Sequence, residues 1–255
     1  ELEHELERAL PPVPSATAPV RLHASHGFAV AALVEQLEAA QLSVELRYRN
    51  SIEAVAALAR GECDLAGFHV PIGEFAVPAG RRYRQWLRHG EHSLIHLAVR
   101  AQGLFVAPGN PLKIRALTDL RRSDVRFVNR PEGSGTRMLT ELMLAKQGIA
   151  AGEINGYATA EFTHAAVAAY IASGMADVGV GVQTAAQRFG LHFMPLLRER
   201  YYLAVPTATL QQPSMRKTLA LMQSPRYRSS VASLAGYEAG ETGKVLGIDE
   251  ALPAY

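Results

Sequence analysis

The stretch VRLHASHGFAVAALVEQLEAAQLSVELRYRNSIEAVAALARGECDLAGFHV, residues 20–70, decides the fold. Val20–Ser25 reads as a short strand and Gly27–Ala40 as a helix. Ser43–Asn50 reads as a second strand, Ser51–Gly61 as a second helix and Asp64–Val70 as a third strand. Strands alternating with helices of about 10–15 residues predict βαβ units around a largely parallel sheet. Right-handed crossovers put each helix start at the carboxyl end of its strand, the edge where open sheets bind ligands.

Working outward, the alternation returns in the second half. Leu117–Ser123 reads as a short helix, Val125–Arg130 as a strand and Ser134–Gly148 as a helix. Ile154–Thr159 reads as a strand, Thr163–Gly174 as a helix and Ala176–Val182 as a strand. Gln183–Gly190 follows as a helix and Leu191–Leu197 as a strand. Between the two alternations, residues 71–92 look looser. Ser93–Pro111 is an apolar, β-rich run, broken at Gln102-Gly103 and ended by the turn Pro108-Gly109-Asn110-Pro111. It is long enough to cross from one lobe to another, and Arg198–Pro206 reads as the return crossing. Helical patterns close the chain at Ser214–Gln223 and Arg226–Leu234.

The expectation is a two-lobed α/β protein, each lobe a mostly parallel sheet flanked by helices, with two crossover strands as hinge. Residues 18–100 plus 205–255 form lobe 1 and residues 101–204 lobe 2. Residues 1–17 read as an N-terminal helix, striped by Leu2, Leu6 and Leu10, and a proline-rich linker.

Composition excludes several classes. A length of 255 residues permits one large domain or two smaller ones, and 48% hydrophobic content supplies ordinary cores. The net charge of +2, without a long Lys/Arg run, argues against a nucleic-acid surface in this chain. No apolar stretch approaches the roughly 18–20 residues that span a bilayer. The chain does not open on a basic segment followed by an apolar one, which fits a cytosolic protein or one trimmed of its leader. Cys63 is the sole cysteine, so neither an internal disulfide nor a cysteine-based zinc site can form. The histidines are scattered and no HExxH pair occurs.

The strand-to-helix junctions share a chemistry. The first carries Ser25-His26-Gly27 and the second Asn50-Ser51. The third strand ends at His69. The second half carries Asn129-Arg130, Gly133-Ser134-Gly135-Thr136-Arg137, and Glu161 before Thr163-His164. Backbone N–H groups at a helix start, with the helix dipole, attract anions. Glycine admits close approach, hydroxyls donate, and Arg130 adds a planar cationic fork. Each of Ser25, Ser51, Ser134 and Thr163 reads singly as a plain helix cap. Their recurrence at one edge makes Ser25, His26, Ser51, His69, Arg130, Ser134, Gly135, Thr136, Arg137 and Thr163 the candidate ligand-binding set. The histidines fit polar packing as well. Tyr201 and Tyr202 read as core or hinge packing.

The Gly-Ser-Gly-Thr turn is not a nucleotide loop. The lysine of a P-loop is absent, and Met138 stands where a dinucleotide loop needs its third glycine. Pro131–Gly135 lacks the G-x-S-x-G pattern of a nucleophilic serine. The expectation is a binding domain rather than an enzyme, with no catalytic residue, metal ligand or cofactor.

NRPEGSGTR, residues 129–137, resembles the anion loop of tungstate- and molybdate-binding proteins, Ser-Arg-Gly-Asp-x-Ser-Gly-Thr-His. Phosphate-binding proteins share a Gly-Ser-Gly-Thr element. Arg130, Ser134, Gly135 and Thr136 stand at matching places; Asn129, Pro131 and Arg137 replace Ser, Gly and His. The surrounding pattern resembles the type II periplasmic-binding-protein fold. Residues 51–70, 100–112, 125–137, 161–181 and 200–206 together resemble a binding-protein-like domain often fused behind a helix-turn-helix in bacterial regulators and often labelled molybdate-binding.

That resemblance implies a ligand-sensing domain for molybdate or tungstate, acting in the cytoplasm of a bacterial cell. DNA would be contacted only through a domain outside this chain, and a homodimer is plausible for a regulator. The helix of residues 1–10 would fit the linker after such a domain. The alternatives are the solute-binding protein of an ABC importer, periplasmic after loss of a signal peptide, and a sensor of a small organic acid. Fully deprotonated oxyanions suit a donor-only pocket, whereas a ligand with its own proton wants a carboxylate. Glu132 and Glu161 are the nearest carboxylates in sequence.

Overall fold

A computed structural model describes residues 18–252. The striped helix and proline-rich linker expected over residues 1–17 lie outside the described residues. The first alternation forms as read. It comprises β1 (Val20–Ala24), α1 (Phe28–Ala39), β2 (Val44–Tyr48), α2 (Ser51–Ala59) and β3 (Leu65–Pro71), with β1 parallel to both β2 and β3. α1 forms because Val30, Leu33 and Leu37 fall on one face and are fully buried. Each such leucine stabilises the fold by about 1.5–3 kcal/mol relative to its exposed state.

Residues 71–92 are more ordered than their sequence suggests. α3 (Ala76–Arg84) forms despite Pro78 and Gly80. Proline is tolerated in a first helical turn, where its missing N–H has no partner to lose.

The apolar run becomes one continuous strand, β4 (His92–Val106), about 50 Å long at the usual rise. The expected break at Gln102-Gly103 is a shift of register against β7 rather than an end. Leu191–Leu197 and Arg198–Pro206, read as a strand and a separate return crossing, are one strand, β7 (His192–Pro206). β4 and β7 pair antiparallel along their length and run through both lobes.

The second alternation supplies β5 (Phe127–Val128), α4 (Gly135–Lys146), α5 (His164–Ala172), β6 (Val178–Val182) and α6 (Gln183–Arg188). Leu117–Arg121 is a 3-10 turn rather than an α-helix. α7 (Pro213–Gln223) and α8 (Pro225–Ala232) pack back on the first lobe. β8 (Tyr237–Glu238), β9 (Val245–Gly247) and α9 (Ile248–Ala251) end the described chain. The sheet order is β2-β1-β3-β7-β4-β6-β5, with β8 and β9 added on β4.

Ile154–Thr159 is not a strand. Gly156 takes φ +85°, and a Cβ there would lie 2.2 Å from the Phe127 carbonyl. The chain turns at that glycine, and its pairing with β5 is reduced to a bond from Phe127 N to the Asn155 carbonyl and an isolated bridge between Asn129 and Ala160.

Both faces of the sheet are covered, so successive residues of the crossing strands enter cores on opposite faces. Tyr201, Leu203 and Val205 of β7 enter one core with α1, α7 and α8. Tyr202 and Ala204 enter another with α2 and α3. Farther along β4, Leu104 and Val106 enter a core with α4, while Phe105 enters one with α5 and α6. The arrangement is a two-lobed α/β fold whose lobes share two strands.

Candidate functional site

Four helix starts border the cleft, and local chemistry fixes three of them. Asn50 caps α2 by accepting from Glu53 N at 2.8 Å. Ser134 caps α4 by accepting from Arg137 N at 3.1 Å, and Thr163 caps α5 by accepting from Ala166 N at 2.9 Å. α1 starts from extended Gly27 with no side-chain cap. Ser51 is therefore not a cap. It is fully buried, with Oγ 3.3 Å from His69 Nδ1.

A cavity of about 360 Å³ lies between the lobes. The first lobe lines it with Ser25, His26, Tyr48, Arg49, Asn50 and Glu53. The second lines it with Arg130, Pro131, Glu132, Ser134 and Phe162. His26 and Tyr48 stack at 3.4 Å between ring centroids.

The centre of the site is polar and buried. Among the described residues, Arg130 Nε, Arg100 Nη2, His69 Nε2, His164 Nδ1, the Tyr201 hydroxyl and Gln102 Oε1 have no hydrogen-bond partner. These groups are neighbours. The rings of His69 and Tyr201 lie 4.0 Å apart, and the Arg100 guanidinium sits 5.4 Å from the Tyr201 ring centre. Burial, then the charge of Arg100, pulls Arg130 down to about 10. Burial, then the two arginines, holds His69 and His164 well below the ordinary imidazole value.

Arg100 is held by Glu199, with Nε 2.6 Å from Oε1. Burial works against its charge, but Glu199 and Tyr237 outweigh that and raise its pKa. Two guanidiniums against one carboxylate leave this buried centre net positive. A buried excess charge is costly unless a counter-charge joins it.

The lobes touch at the Gly-Ser-Gly-Thr turn. Gly133 takes φ +80°, and a Cβ there would meet Asn50 Nδ2 at 2.7 Å. A Cβ on Gly135 would meet His69 Nδ1 and Ser51 Oγ, each at 3.2 Å. These glycines permit close approach of lobe to lobe across the cleft.

The sequence-derived residues divide into groups. Ser25, His26, Arg130 and Ser134 line the cavity. Ser51, His69 and Gly135 pack together behind it. Thr136 Oγ1 is taken by Gln102 Nε2 at 3.0 Å. Arg137 is turned away from the cavity. It pairs with Glu141 at 2.8 Å, donates to the Arg130 carbonyl and lies 4.3 Å over the Tyr157 ring, so it braces the loop. Thr163 borders a neighbouring recess with Phe28 and Arg188. Glu132 lines the cavity, as does Glu53, which sequence reasoning did not single out; Glu161 does not.

Arg100, Gln102 and Glu199 were missed. Arg100 and Gln102 are polar residues inside an otherwise apolar crossing run, a signal that they need buried partners; Glu199, flanked by Arg198 and Arg200, carries no such signal. Tyr201, read as packing, and His164, left out of the set, complete the buried centre.

A family model described as the PBP superfamily domain matches residues 34–223. YvgK of Bacillus subtilis (strain 168), an uncharacterized protein, is 33% identical over 218 residues, covering 84% of this chain and 69% of YvgK. The regulatory domain of MetR, a LysR family regulator from N. meningitidis, superposes with TM-score 0.61 at 14% identity, over 86% of this chain and 97% of that one. The tungstate ABC transporter from Geobacter sulfurreducens superposes with TM-score 0.61 at 11% identity, over 86% and 99%. At these identities the two structures establish likeness of fold.

Proposed function

The chain belongs to the PBP superfamily, a family of ligand-binding domains, and from that premise we propose that it senses a small oxyanion held in the interlobe cleft. One observation carries the reading: a buried, net-positive centre in which Arg130 Nε, Arg100 Nη2, the Tyr201 hydroxyl and His69 Nε2 have no hydrogen-bond partner among the described residues. An oxyanion there accepts charge-assisted bonds, which are short and about twice as strong as neutral ones. The capped starts of α2 and α4 and the uncapped start of α1 add favourable dipoles.

Molybdate or tungstate is the inorganic ligand that the loop at residues 129–137 supports. A second reading, an organic acid with its own donor, is favoured by Glu132 and Glu53 on the cavity wall. The working context we propose is a cytoplasmic, homodimeric bacterial regulator that contacts DNA through a preceding domain, with lobes at residues 18–100 plus 205–255 and 101–204. A solute receptor of an importer is the rival. The gene upstream separates them, since a helix-turn-helix supports the regulator and a signal peptide the receptor.

Thermal melts with molybdate, tungstate, sulfate, phosphate and small carboxylates test the ligand class. A ligand at 100 times its Kd stabilises by about 2.7 kcal/mol, a shift of a few degrees at this size. The expected result is a shift lost in Arg130→Ala. No shift with any of these anions overturns the reading for a bare oxyanion or a small carboxylate.

A further inference from the structure

The cavity is larger than a bare oxyanion needs, and its outer wall has the wrong chemistry for one. Each water-sized oxygen occupies roughly 30 Å³, so a tetrahedral oxyanion fills on the order of 100 Å³. The cavity holds about 360 Å³, within the range of sites for small organic molecules.

Aromatic groups form much of its rim. Phe162 is 77% exposed, an unusual state for a large apolar side chain. Its carbonyl accepts from Arg130 Nη2 at 2.8 Å, so it is fastened to the arginine of the anion site. From the other lobe comes the stacked pair His26–Tyr48, its planes within 16° of parallel. Tyr48 is itself half exposed. Flat apolar surface on two sides of one cavity suits a flat ring, because stacked rings gain beyond the area they bury.

Two carboxylates line the same cavity, Glu53 from the first lobe and Glu132 from the second. They repel a bare dianion. They complement a ligand whose far edge carries N–H or O–H donors.

We propose that the outer cavity is an aromatic subsite, and that the ligand is an aromatic or heteroaromatic ring bearing an oxyanion group. The phosphate, sulfonate, sulfate or carboxylate group sits at Arg130. The ring lies between Phe162 and the His26–Tyr48 stack, with a donor edge toward Glu53 and Glu132. This rests on the oxyanion reading above and selects the organic form within it.

Calorimetric titration of the full chain with matched pairs tests it: phosphate against phenyl phosphate and 4-aminophenyl phosphate, sulfate against phenyl sulfate, and acetate against benzoate. Molybdate and tungstate serve as bare references. The readout is the affinity ratio within a pair. In at least one pair the ring-bearing member binds at least tenfold tighter, and Phe162→Ala and, separately, Tyr48→Ala bring that ratio toward one. Equal affinities within every pair, alongside binding of a bare oxyanion, overturn the aromatic subsite and leave the oxyanion reading standing. A ratio untouched by both substitutions also overturns it. If no anion of either kind binds, both readings fall together.

Discussion

Arg100 and Glu199 face each other as register partners on the two strands that join the lobes, with Nε 2.6 Å from Oε1 and both side chains 1% exposed. Gln102, two residues along β4, donates to the same oxygen at 2.9 Å. Arg100 keeps Nη2 without a hydrogen-bond partner among the described residues. The hinge strands therefore carry a charge pair whose positive member is incompletely satisfied, beside a second buried arginine, Arg130. The proposed recognition of an anion and the link between the lobes share these residues.

Glu199→Gln leaves Arg100 buried without its counter-charge. Breaking one side of a buried pair costs about 3–5 kcal/mol. The expected outcome is a urea midpoint lowered accordingly, with an oxyanion restoring more stability to the variant than to the wild type. The double substitution Arg100→Met with Glu199→Leu costs less than Glu199→Gln alone, because no charge is then stranded. A loss below about 1 kcal/mol in Glu199→Gln contradicts the pairing.

Gly133→Ala tests the contact between lobes. Its Cβ would meet Asn50 across the cleft, and its φ of +80° disfavours any side chain. Gly61→Ala is the control, since Gly61 takes φ +73° with nothing within 4 Å of its Cβ position. Both variants lose roughly 1 kcal/mol of stability from backbone strain. Only Gly133→Ala weakens ligand binding, by about tenfold or more, in a calorimetric titration. Equal binding by both variants removes Gly133 from lobe closure.

The sequence displayed β1 through β3 well because each element is decided locally, by period, cap and turn. The helix mouths were legible for the same reason: Asn50, Ser134 and Thr163 cap residues three positions away. The hidden parts are non-local. Glu199 meets Arg100 from 99 residues away, and no periodicity displays such a pairing. Ile154–Thr159 has the composition of a strand, but Gly156 lies against the Phe127 backbone and turns the chain there. α3 was masked by Pro78 and Gly80, whose cost is offset by burial of Ala79 and Tyr83 in the core. Arg137 shows the limit of reading a motif by position, since its place in the loop gave no sign that Glu141 and Tyr157 would claim its side chain.

Ser51 is expected to set the tautomer of His69. Its hydroxyl lies 3.3 Å from Nδ1, and donation to that atom places the ring proton on Nε2, which has no hydrogen-bond partner among the described residues. His69 then donates to an anion while neutral. Imidazole ¹⁵N shifts read this directly, with His69 as the Nε2–H form in the wild type and a mixed population in Ser51→Ala. Affinity for the oxyanion falls by up to about tenfold, the worth of one net hydrogen bond. An unchanged tautomer in Ser51→Ala defeats the assignment.

Acid is expected to destabilise this protein through its buried histidines. Burial first, then neighbouring cations, holds His69 and His164 well below their ordinary value; burial lowers His96 to about 4. The unfolded chain takes up those protons near pH 6.5. Below that pH the unfolded state binds more protons than the folded one, so the unfolding free energy drops as pH falls. The stabilisation is complete above about pH 6.5 and is lost toward the depressed folded values, at up to about 1.4 kcal/mol per pH unit for each histidine. Urea unfolding at pH 7.5, 6.5, 5.5 and 5.0 is expected to be level between the first two and to fall steeply thereafter. His69→Asn reduces the slope by up to one histidine's share. A bound oxyanion favours the protonated imidazoles beside it and makes the loss shallower. Stability that stays level from pH 7.5 to 5.0 shows that these rings are not held neutral by burial.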